Sequence, residues 1–323
     1  MKRAAARESD PALSTWEEQV SQRLHAVIDD ACAVLPSLRA AVADLAVDDV
    51  PYRLLAMAVH GALTGNPAPA MPVCVMSRLW WSGAEALDDV ADDPSGRGWS
   101  ACSLGKTLTA ATACLVLLPQ VVLDREVLAT EIRQDWQREL TMACLQAADG
   151  QLADLSEDDG DFSWSQVIAS YRKKTGAPYA RDAVMAARLT TADPQTLRGW
   201  RAFGSLFGLL RQLHNDAASA TSENDEDLAN GTRILRLAVA LELSRPAVRE
   251  ILLELRRRAR SDPAARAELR HRLDEPGIAN RYTARIDTLR QHACALLDRL
   301  AAPSSHRDLL HRLVHTSSAG ASP

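Results

Sequence analysis

Apolar residues recur at helical spacing along almost the whole chain, and this periodicity limits the fold more than any other feature of the sequence. No stretch shows the alternating β-branched pattern that is typical of strands. The spacing predicts helices over 13–34, 51–64, 72–92, 103–118, 124–149, 164–175, 177–190, 195–223, 227–243, 246–260, 262–273, 278–300 and 304–315. We therefore expect an all-α fold.

The two ends of the chain differ from its middle. Residues 1–10 and 316–323 lack apolar periodicity, and we expect both to be flexible tails. No interior linker and no repeat of fixed period divides residues 11–315. A chain of 323 residues is long enough for a deep core. The sequence thus predicts a single α-helical domain over 11–315.

Composition excludes several classes of protein. The formal net charge is −5 and the arginines alternate with acids, so we expect no nucleic-acid partner. The longest apolar run, 108–123, is interrupted by Thr, Gln and Pro and is shorter than the roughly 20 residues of a membrane span. It predicts a buried helix and no stable membrane anchor. The six cysteines form no CxxC pair, which argues against zinc and disulfides and fits a cytoplasmic location.

A first polar cluster ends an apolar helix in the stretch WWSGAEALDDVADD. Asp88 and Asp92 lie four residues apart, and Asp89 and Asp93 repeat the spacing. Each pair projects from one helix face, where like charges destabilise the helix by a few tenths of a kcal/mol. A hard cation held between the carboxylates reverses that effect, and Mg²⁺ prefers such oxygen ligands. The alternative is an ordinary acidic helix end that runs into a loop.

A second cluster lies in the stretch QLHNDAASATSENDE. Asn215, Ser219 and Glu223 follow one another at one-turn spacing and offer an amide oxygen, a hydroxyl and a carboxylate. The alternative is a helix that frays into a polar loop, although Asn and Ser are poor residues for a helix interior. If the two clusters face each other across a cavity, metal ions and a polyanion are the objects that fit between them.

At this point the sequence resembles a known family, the trans-isoprenyl diphosphate synthases. DDVAD resembles their first aspartate-rich motif, DDxxD, and the resemblance extends over roughly residues 50–315. The second cluster instead matches the NDxxSxxxE triad of class I terpene cyclases. Further segments that follow in the family's order are GQLADL at 150–155, Lys174-Thr175 at the family's KT motif, FGLLRQ at 207–212, and DLANG at 227–231.

The departures from that family bear on function. Elongating members carry GGKRxRP near the N-terminus and an arginine pair after DDxxD, and these groups bind isopentenyl diphosphate. Here the two regions offer only Arg53 and Arg97, although a second diphosphate needs cationic donors. The resemblance therefore implies a class I terpene cyclase, a helical bundle around a central cavity. A chain-elongating or acceptor-prenylating synthase and a non-catalytic subunit of a heteromeric synthase remain alternatives.

The resemblance also implies the site. Three Mg²⁺ ions would bridge the substrate diphosphate to the protein, Lys174 would contact that diphosphate, and homodimerisation would be a further family property. The implied catalytic residues are Asp88, Asp92, Asn215, Ser219 and Glu223; the metal ligands are these five and Asp89.

Further side chains are candidates for contact with the substrate. Aromatic rings stabilise cations through their faces, and the alternative for each ring is core packing. Arg233 stands beside the position of a family lysine, and the small Gly83 and Ala84 favour a C20 substrate, geranylgeranyl diphosphate, over C15. Arg281-Tyr282 resembles a diphosphate-sensing RY pair and stays open, and Asp216 is a candidate for orienting a ligand. The remaining candidates are Gln151, Gln212, Trp80, Trp81, Phe203 and Phe207.

Overall fold

The structure, a computed structural model, describes residues 11–45, 51–92, 103–155, 160–220 and 226–317. These residues contain helices and no strand, so the all-α prediction is confirmed. The chain divides into two compact units, Met1–Glu139 with Met185–Ala192 and Leu140–Val184 with Asp193–Pro323. The single domain predicted over 11–315 stays a prediction, and the predicted tail at 1–10 lies outside the described residues.

The first unit is built around one long helix. Its helices are α1 (Pro11–Ala31), α2 (Pro36–Leu45), α3 (Leu55–Thr64), α4 (Met71–Asp92), α5 (Leu104–Thr112), α6 (Leu118–Arg125) and the first part of α7 (Thr130–Asp154). Helix α4 packs against α1, α3, α5 and α6. Residues 73–80 of this helix are all buried, and eight consecutive residues cover every side of a helix, so this part of α4 has no exposed face.

Helix α2 was not predicted, because its apolar stripe is too narrow to give a clear period. Only Val42 among its residues is buried, although Pro36 at the first position is a usual start signal. The apolar run at 108–123 also differs from its prediction. It belongs to a continuous helical stretch, Leu104–Arg125, with a π-helical segment at Ala113–Leu117. Pro119 lacks the N–H that a regular helix needs there, which favours the wider turn.

That stretch is only partly buried. Its 22 residues are long and apolar enough to cross a membrane by length and composition, and half of its most apolar window is buried inside the protein. Leu104, Leu108, Val116 and Leu117 are exposed. The prediction of a buried helix therefore holds for one side only, and the absence of a membrane anchor stays a prediction.

The second unit contains the rest of α7 and most of the later helices. These are α8 (Trp164–Tyr171), the part of α9 (Ala177–Arg188) up to Val184, α10 (Pro194–Ala220), α11 (Glu226–Asn230), α12 (Leu235–Leu243), α13 (Pro246–Ala259), α14 (Pro263–Leu273), α15 (Pro276–Leu300) and α16 (Ser305–Thr316). A π-helical segment, Arg172–Gly176, joins α8 to α9 without a break. Helix α10 packs against this π segment and against α15.

Two predicted helix starts in this unit are confirmed by their caps. The Ser163 hydroxyl accepts from the Gln166 backbone N–H at 3.4 Å, and the Gln166 side chain accepts from the Ser163 backbone N–H at 2.8 Å. The Asp193 carboxylate accepts from the Thr196 backbone N–H at 2.7 Å. Each side chain satisfies a donor that the first helical turn leaves unpaired.

Several predicted boundaries are corrected, and the helix predicted over 124–149 is α7, Thr130–Asp154. The helix predicted over 227–243 breaks between α11 and α12, where Gly231 has a left-handed φ of 71°. The break predicted at Gly176 does not exist, because the π segment continues the helix. Near the end of the chain, α16 includes Thr316 and Ser317 is buried, so the predicted tail begins too early. Residues 318–323 lie outside the described residues.

Candidate functional site

The first acidic cluster lies on the last turns of α4. Asp88 is partly buried and Asp89 is exposed, because the helix leaves the core as its apolar positions end. Helix α4 ends at Asp92, so Asp88 and Asp92 occupy one continuous helix at the predicted spacing. The side chain of Asp92 and the whole of Asp93 lie outside the described residues.

An ion pair with one buried partner lies one helical turn before these aspartates. Arg53, from the 3₁₀ turn Pro51–Leu54, donates from Nη2 to Oε1 of Glu85 and is only 5% exposed. Its guanidinium carbon lies 5.7 Å from the ring centroid of Trp81, within range of a cation–π contact. Burial raises the pKa of the Glu85 carboxyl, while the charge of Arg53 acts to lower it. The sequence analysis missed Glu85; its only signal was an acid inside an apolar stretch.

The two tryptophans of α4 differ in environment. Trp80 is buried and Trp81 is partly buried, and their rings meet edge to face with centroids 5.0 Å apart. Gly83 has a packing role, because a Cβ there would lie 2.7 Å from the backbone oxygen of Ala111 and from Cγ of Leu115. The small size of Gly83 is therefore explained by helix packing, and it no longer supports the inference of a C20 substrate.

The second cluster begins near the end of α10. Asn215 is exposed, and its Oδ1 accepts from Nη2 of the buried Arg211, one turn earlier, at 3.3 Å. Ser219 lies one turn further along the same helix, as predicted, but its side chain lies outside the described residues. Glu223 lies outside them as well. Arg211 is a cation beside a predicted ligand that the sequence analysis did not single out.

The π segment Arg172–Gly176 carries Lys174 and Thr175 and is held between two glycines. A Cβ at Gly150 of α7 would lie 2.4 Å from the backbone nitrogen of Lys174. One at Gly208 of α10 would lie 2.6 Å from the backbone carbonyl oxygen of Thr175. Both helices therefore approach the segment as closely as the backbone allows. Lys174 Nζ pairs with Asp154 at 2.8 Å. π segments within α-helices occur often at functional sites.

Side chains of α8, the π segment and α10 form a hydrogen-bond chain. The Thr175 hydroxyl donates to Gln212 Oε1 at 2.6 Å, and Gln212 Nε2 donates to Asp216 Oδ1 at 3.0 Å. The Tyr171 hydroxyl donates to Asp216 Oδ2 at 2.6 Å. These bonds hold Asp216 in place and connect it to Gln212, a predicted substrate contact; the role of Asp216 in orienting a ligand stays a prediction. Tyr171 was missed, because it belongs to no motif.

The pKa of Asp216 is raised to about 7. Desolvation by burial is the main cause, and the nearby carboxylates of Asp227 and Asp154 add to it. The hydrogen bonds from Tyr171 and Gln212 oppose the shift. Burial and the charge of Asp216 raise the pKa of the Tyr171 hydroxyl well above its usual value. The second unit thus holds several acids close to the Lys174 segment.

The predicted aromatic contacts on α10 are core residues in this structure. Phe203 and Phe207 have no exposed surface. Phe207 meets Tyr179 edge to face at 5.2 Å, and Phe203 meets Trp200 in the same way at 5.6 Å. This burial favours core packing, the alternative stated for these rings, and their contact with a substrate stays a prediction.

The remaining candidates lie in different settings. Gln151 is partly buried on α7, next to Gly150. The guanidinium of Arg233 lies 5.8 Å from the ring centroid of Phe162, so it contacts an aromatic face. Arg281 is exposed whereas Tyr282 is buried, and the guanidinium carbon of Arg236 lies 5.2 Å from the Tyr282 ring centroid.

The oxygen donors of both clusters suit a hard cation such as Mg²⁺ in chemical type. Among the residues that the structure describes, no three His, Cys, Asp or Glu side chains lie close enough together to hold a metal ion. That set leaves out Glu223 and the side chains of Asp92 and Ser219, which are half of the predicted ligands.

Comparisons with known proteins place the chain in a family. Residues 87–273, more than half of the chain, match the polyprenyl synthetase family. No curated protein sequence matches the chain.

Solved structures share the fold. The chain is similar to a geranylgeranyl pyrophosphate synthetase from Pyrococcus horikoshii Ot3, with a TM-score of 0.81, 15% identity and coverage of 95% of this chain and 97% of that one. A polyprenyl synthetase from Streptomyces coelicolor A3(2) has a TM-score of 0.80 and 20% identity, with coverage of 95% of this chain and 98% of that one. A geranylgeranyl pyrophosphate synthase from Corynebacterium glutamicum, complexed with isoprenyl diphosphate and magnesium, has a TM-score of 0.79 and 19% identity. The match covers 95% of this chain and 99% of that one. These identities show the fold alone, whereas the family match shows that the chain belongs to the polyprenyl synthetase family.

Proposed function

We propose that this chain is a magnesium-dependent enzyme that ionises one linear allylic prenyl diphosphate and cyclises the resulting cation to a terpene hydrocarbon or alcohol, with release of diphosphate. Family membership and the oxygen donors on α4 and α10 support the diphosphate chemistry. One relative of the same fold was solved with isoprenyl diphosphate and magnesium. The residues proposed to hold magnesium are Asp88, Asp89, Asp92, Asn215, Ser219 and Glu223.

Bound magnesium would supply Lewis-acid neutralisation of the charge that develops on the leaving diphosphate. The chain itself would contribute Lys174, whose ammonium group can exchange Asp154 for a diphosphate oxygen. A positioned cation at a developing negative charge is the usual largest contribution to such catalysis. The chain from Thr175 through Gln212 to Asp216 would hold the neighbouring side chains of α10 in one orientation.

The ion pair of Arg53 with Glu85 is the observation that favours cyclisation over elongation. Elongation joins two diphosphate-bearing molecules, and the second one needs its own cationic donors. Arg53 is the only arginine in the first of the two regions where elongating relatives carry such donors, and it is buried against Glu85 and Trp81. Arg97, in the other region, lies outside the described residues.

Chain elongation is the second candidate, and the comparisons by themselves favour it over cyclisation. The family is that of polyprenyl synthetases, and the structural relatives include geranylgeranyl and heptaprenyl diphosphate synthases. Prenylation of another acceptor belongs to the same candidate. Homodimerisation and a cytoplasmic location stay predictions.

Product analysis separates the candidates. Purified protein with Mg²⁺ is offered C10, C15, C20 and C25 allylic diphosphates one at a time, then each together with isopentenyl diphosphate, and products are identified by mass spectrometry. A hydrocarbon or alcohol from a single substrate supports cyclisation. Longer diphosphates that form only from the pair would establish elongation. A folded protein that forms no product from any allylic diphosphate, with or without isopentenyl diphosphate, would support a non-catalytic subunit.

A further inference from the structure

Arg53 is a buried cation held one helical turn from the acidic end of α4. Its side chain is 6% exposed and lies against the face of Trp81. Burial of a guanidinium is costly unless an anion pairs with it. Glu85 supplies that anion from the helix that carries Asp88 and Asp89.

The two partners of this pair differ in their access to solvent. The Glu85 side chain is 40% exposed, whereas that of Arg53 is nearly covered. The carboxylate therefore lies at the outer side of the pair, with the guanidinium beneath it. A neutral side chain at position 85 would remove the counter-charge of the cation, and a smaller one would also uncover part of it.

We propose that Glu85 is a specificity-determining residue, an internal counter-anion that occupies Arg53 and prevents it from binding a second phosphorylated molecule. The position formed by Arg53 and Trp81 is then a latent oxyanion subsite. The ligand class that fits it is a phosphate or diphosphate group, because a guanidinium pairs with such oxyanions through two parallel hydrogen bonds. The biological meaning, selectivity for one diphosphate, rests on the proposed function.

The subsite is tested with inorganic diphosphate as the probe, in buffer that contains EDTA, by isothermal titration calorimetry. Glu85→Ala opens the subsite, and Glu85→Gln neutralises position 85 while keeping an acceptor for Arg53. Glu18→Gln is the matched control, because it removes one negative charge at an exposed position of α1. The double variant Arg53→Gln with Glu85→Gln removes the cation as well.

We expect the association constant of Glu85→Ala for diphosphate to exceed that of the wild type by about tenfold or more, the usual contribution of a charge-assisted hydrogen bond. Glu85→Gln is expected to show a smaller gain, Glu18→Gln no gain, and the double variant none. The inference is overturned if both Glu85 variants bind no tighter than Glu18→Gln, or if the gain persists without Arg53. If Glu85→Ala fails to fold, Glu85→Gln carries the same comparison.

Failure of this inference is distinguishable from failure of the proposed function. The binding measurement uses neither metal nor turnover, so its result is the same whether the enzyme cyclises or elongates. Selectivity is read separately, as inhibition of turnover by isopentenyl diphosphate with Mg²⁺ present. We expect about tenfold stronger inhibition of Glu85→Gln than of the wild type, by the same hydrogen-bond argument. Equal inhibition of both proteins would refute the role of Glu85 in selectivity.

Discussion

The substitution Gly150→Ala tests whether close packing of α7 holds Lys174 in place. A Cβ at position 150 would lie 2.4 Å from the backbone nitrogen of Lys174 and 2.9 Å from the carbonyl carbon of Lys173. Ordinary van der Waals contact begins at 3.4 Å, so the π segment must move away by about 1 Å. Both nearest atoms belong to the backbone, and no change of side-chain rotamer relieves the overlap.

Two opposing effects set the expected change in stability. Alanine is more favourable than glycine in a helix interior by about 1 kcal/mol. Overpacking a well-packed site costs about 1–3 kcal/mol. We therefore expect Gly150→Ala to lower the free energy of unfolding by up to about 2 kcal/mol. Turnover is more sensitive, because a shift of about 1 Å in a catalytic group can lower the rate by about 100-fold.

The assay combines urea unfolding with turnover of the preferred prenyl diphosphate. Gly277→Ala in the first turn of α15 is the matched control, because its new Cβ meets no heavy atom within 4 Å. We expect the control to keep its turnover and to gain up to about 1 kcal/mol of stability. If Gly150→Ala is as stable and as active as Gly277→Ala, the π segment does not depend on this contact and the reasoning is wrong.

Three further predictions concern named side chains. Asp88→Ala and Asn215→Ala should each lower turnover by about 100-fold or more while circular dichroism stays unchanged, because each removes an oxygen donor for magnesium; wild-type-like turnover would remove that residue from the metal site. Tyr171→Phe should lower the free energy of unfolding by about 1–3 kcal/mol in urea, because it removes a buried hydrogen bond to Asp216. The carboxyl of Asp216 has a folded-state pKa of about 7, above the roughly 3.9 of an unfolded chain, so the folded state binds the extra proton between these values. The free energy of unfolding of the wild type, measured in EDTA, should therefore fall as pH rises from about 4 to about 7. Asp216→Asn should remove the contribution of this carboxyl to the fall, and an equal pH dependence in both proteins would contradict the raised pKa.

Helix type and most helix starts were predictable from the sequence, because they depend on local chemistry. The caps at Ser163 and Asp193 use side chains within three residues of the helix they begin. The π segment Arg172–Gly176 was not predictable in this way. Its wider turn arises where α7 and α10 approach at Gly150 and Gly208, which are distant in sequence. A single-sequence pattern does not contain that packing.

The residues of the candidate site also differ in whether local sequence reveals them. Lys174 and Gln212 were predicted as site residues because they stand in recognisable motifs, and both lie in the Lys174 segment and its hydrogen-bond chain. Glu85 and Tyr171 were missed because their partners lie 32 and 45 residues away, at Arg53 and Asp216. No local spacing reports a contact of that kind. Sequence reasoning therefore proposes candidates for the chemistry from their motifs and misses the side chains that contact them from distant parts of the chain.

Glu85 and Asp216 show why such contacts decide the charge of a partly buried acid. Burial raises the pKa of both carboxyls. The guanidinium of Arg53 favours the charged form of Glu85 more strongly than the carboxylates of Asp88 and Asp89 oppose it, whereas the carboxylates of Asp227 and Asp154 favour the neutral form of Asp216. The same change to an amide should then have opposite effects near pH 8. Glu85→Gln leaves a buried cation without its counter-charge and should destabilise the protein, whereas Asp216→Asn replaces a disfavoured charge and should stabilise it. Urea unfolding of the two variants side by side measures this difference, and a shift of the same sign in both would show that neighbouring charges do not control these acids.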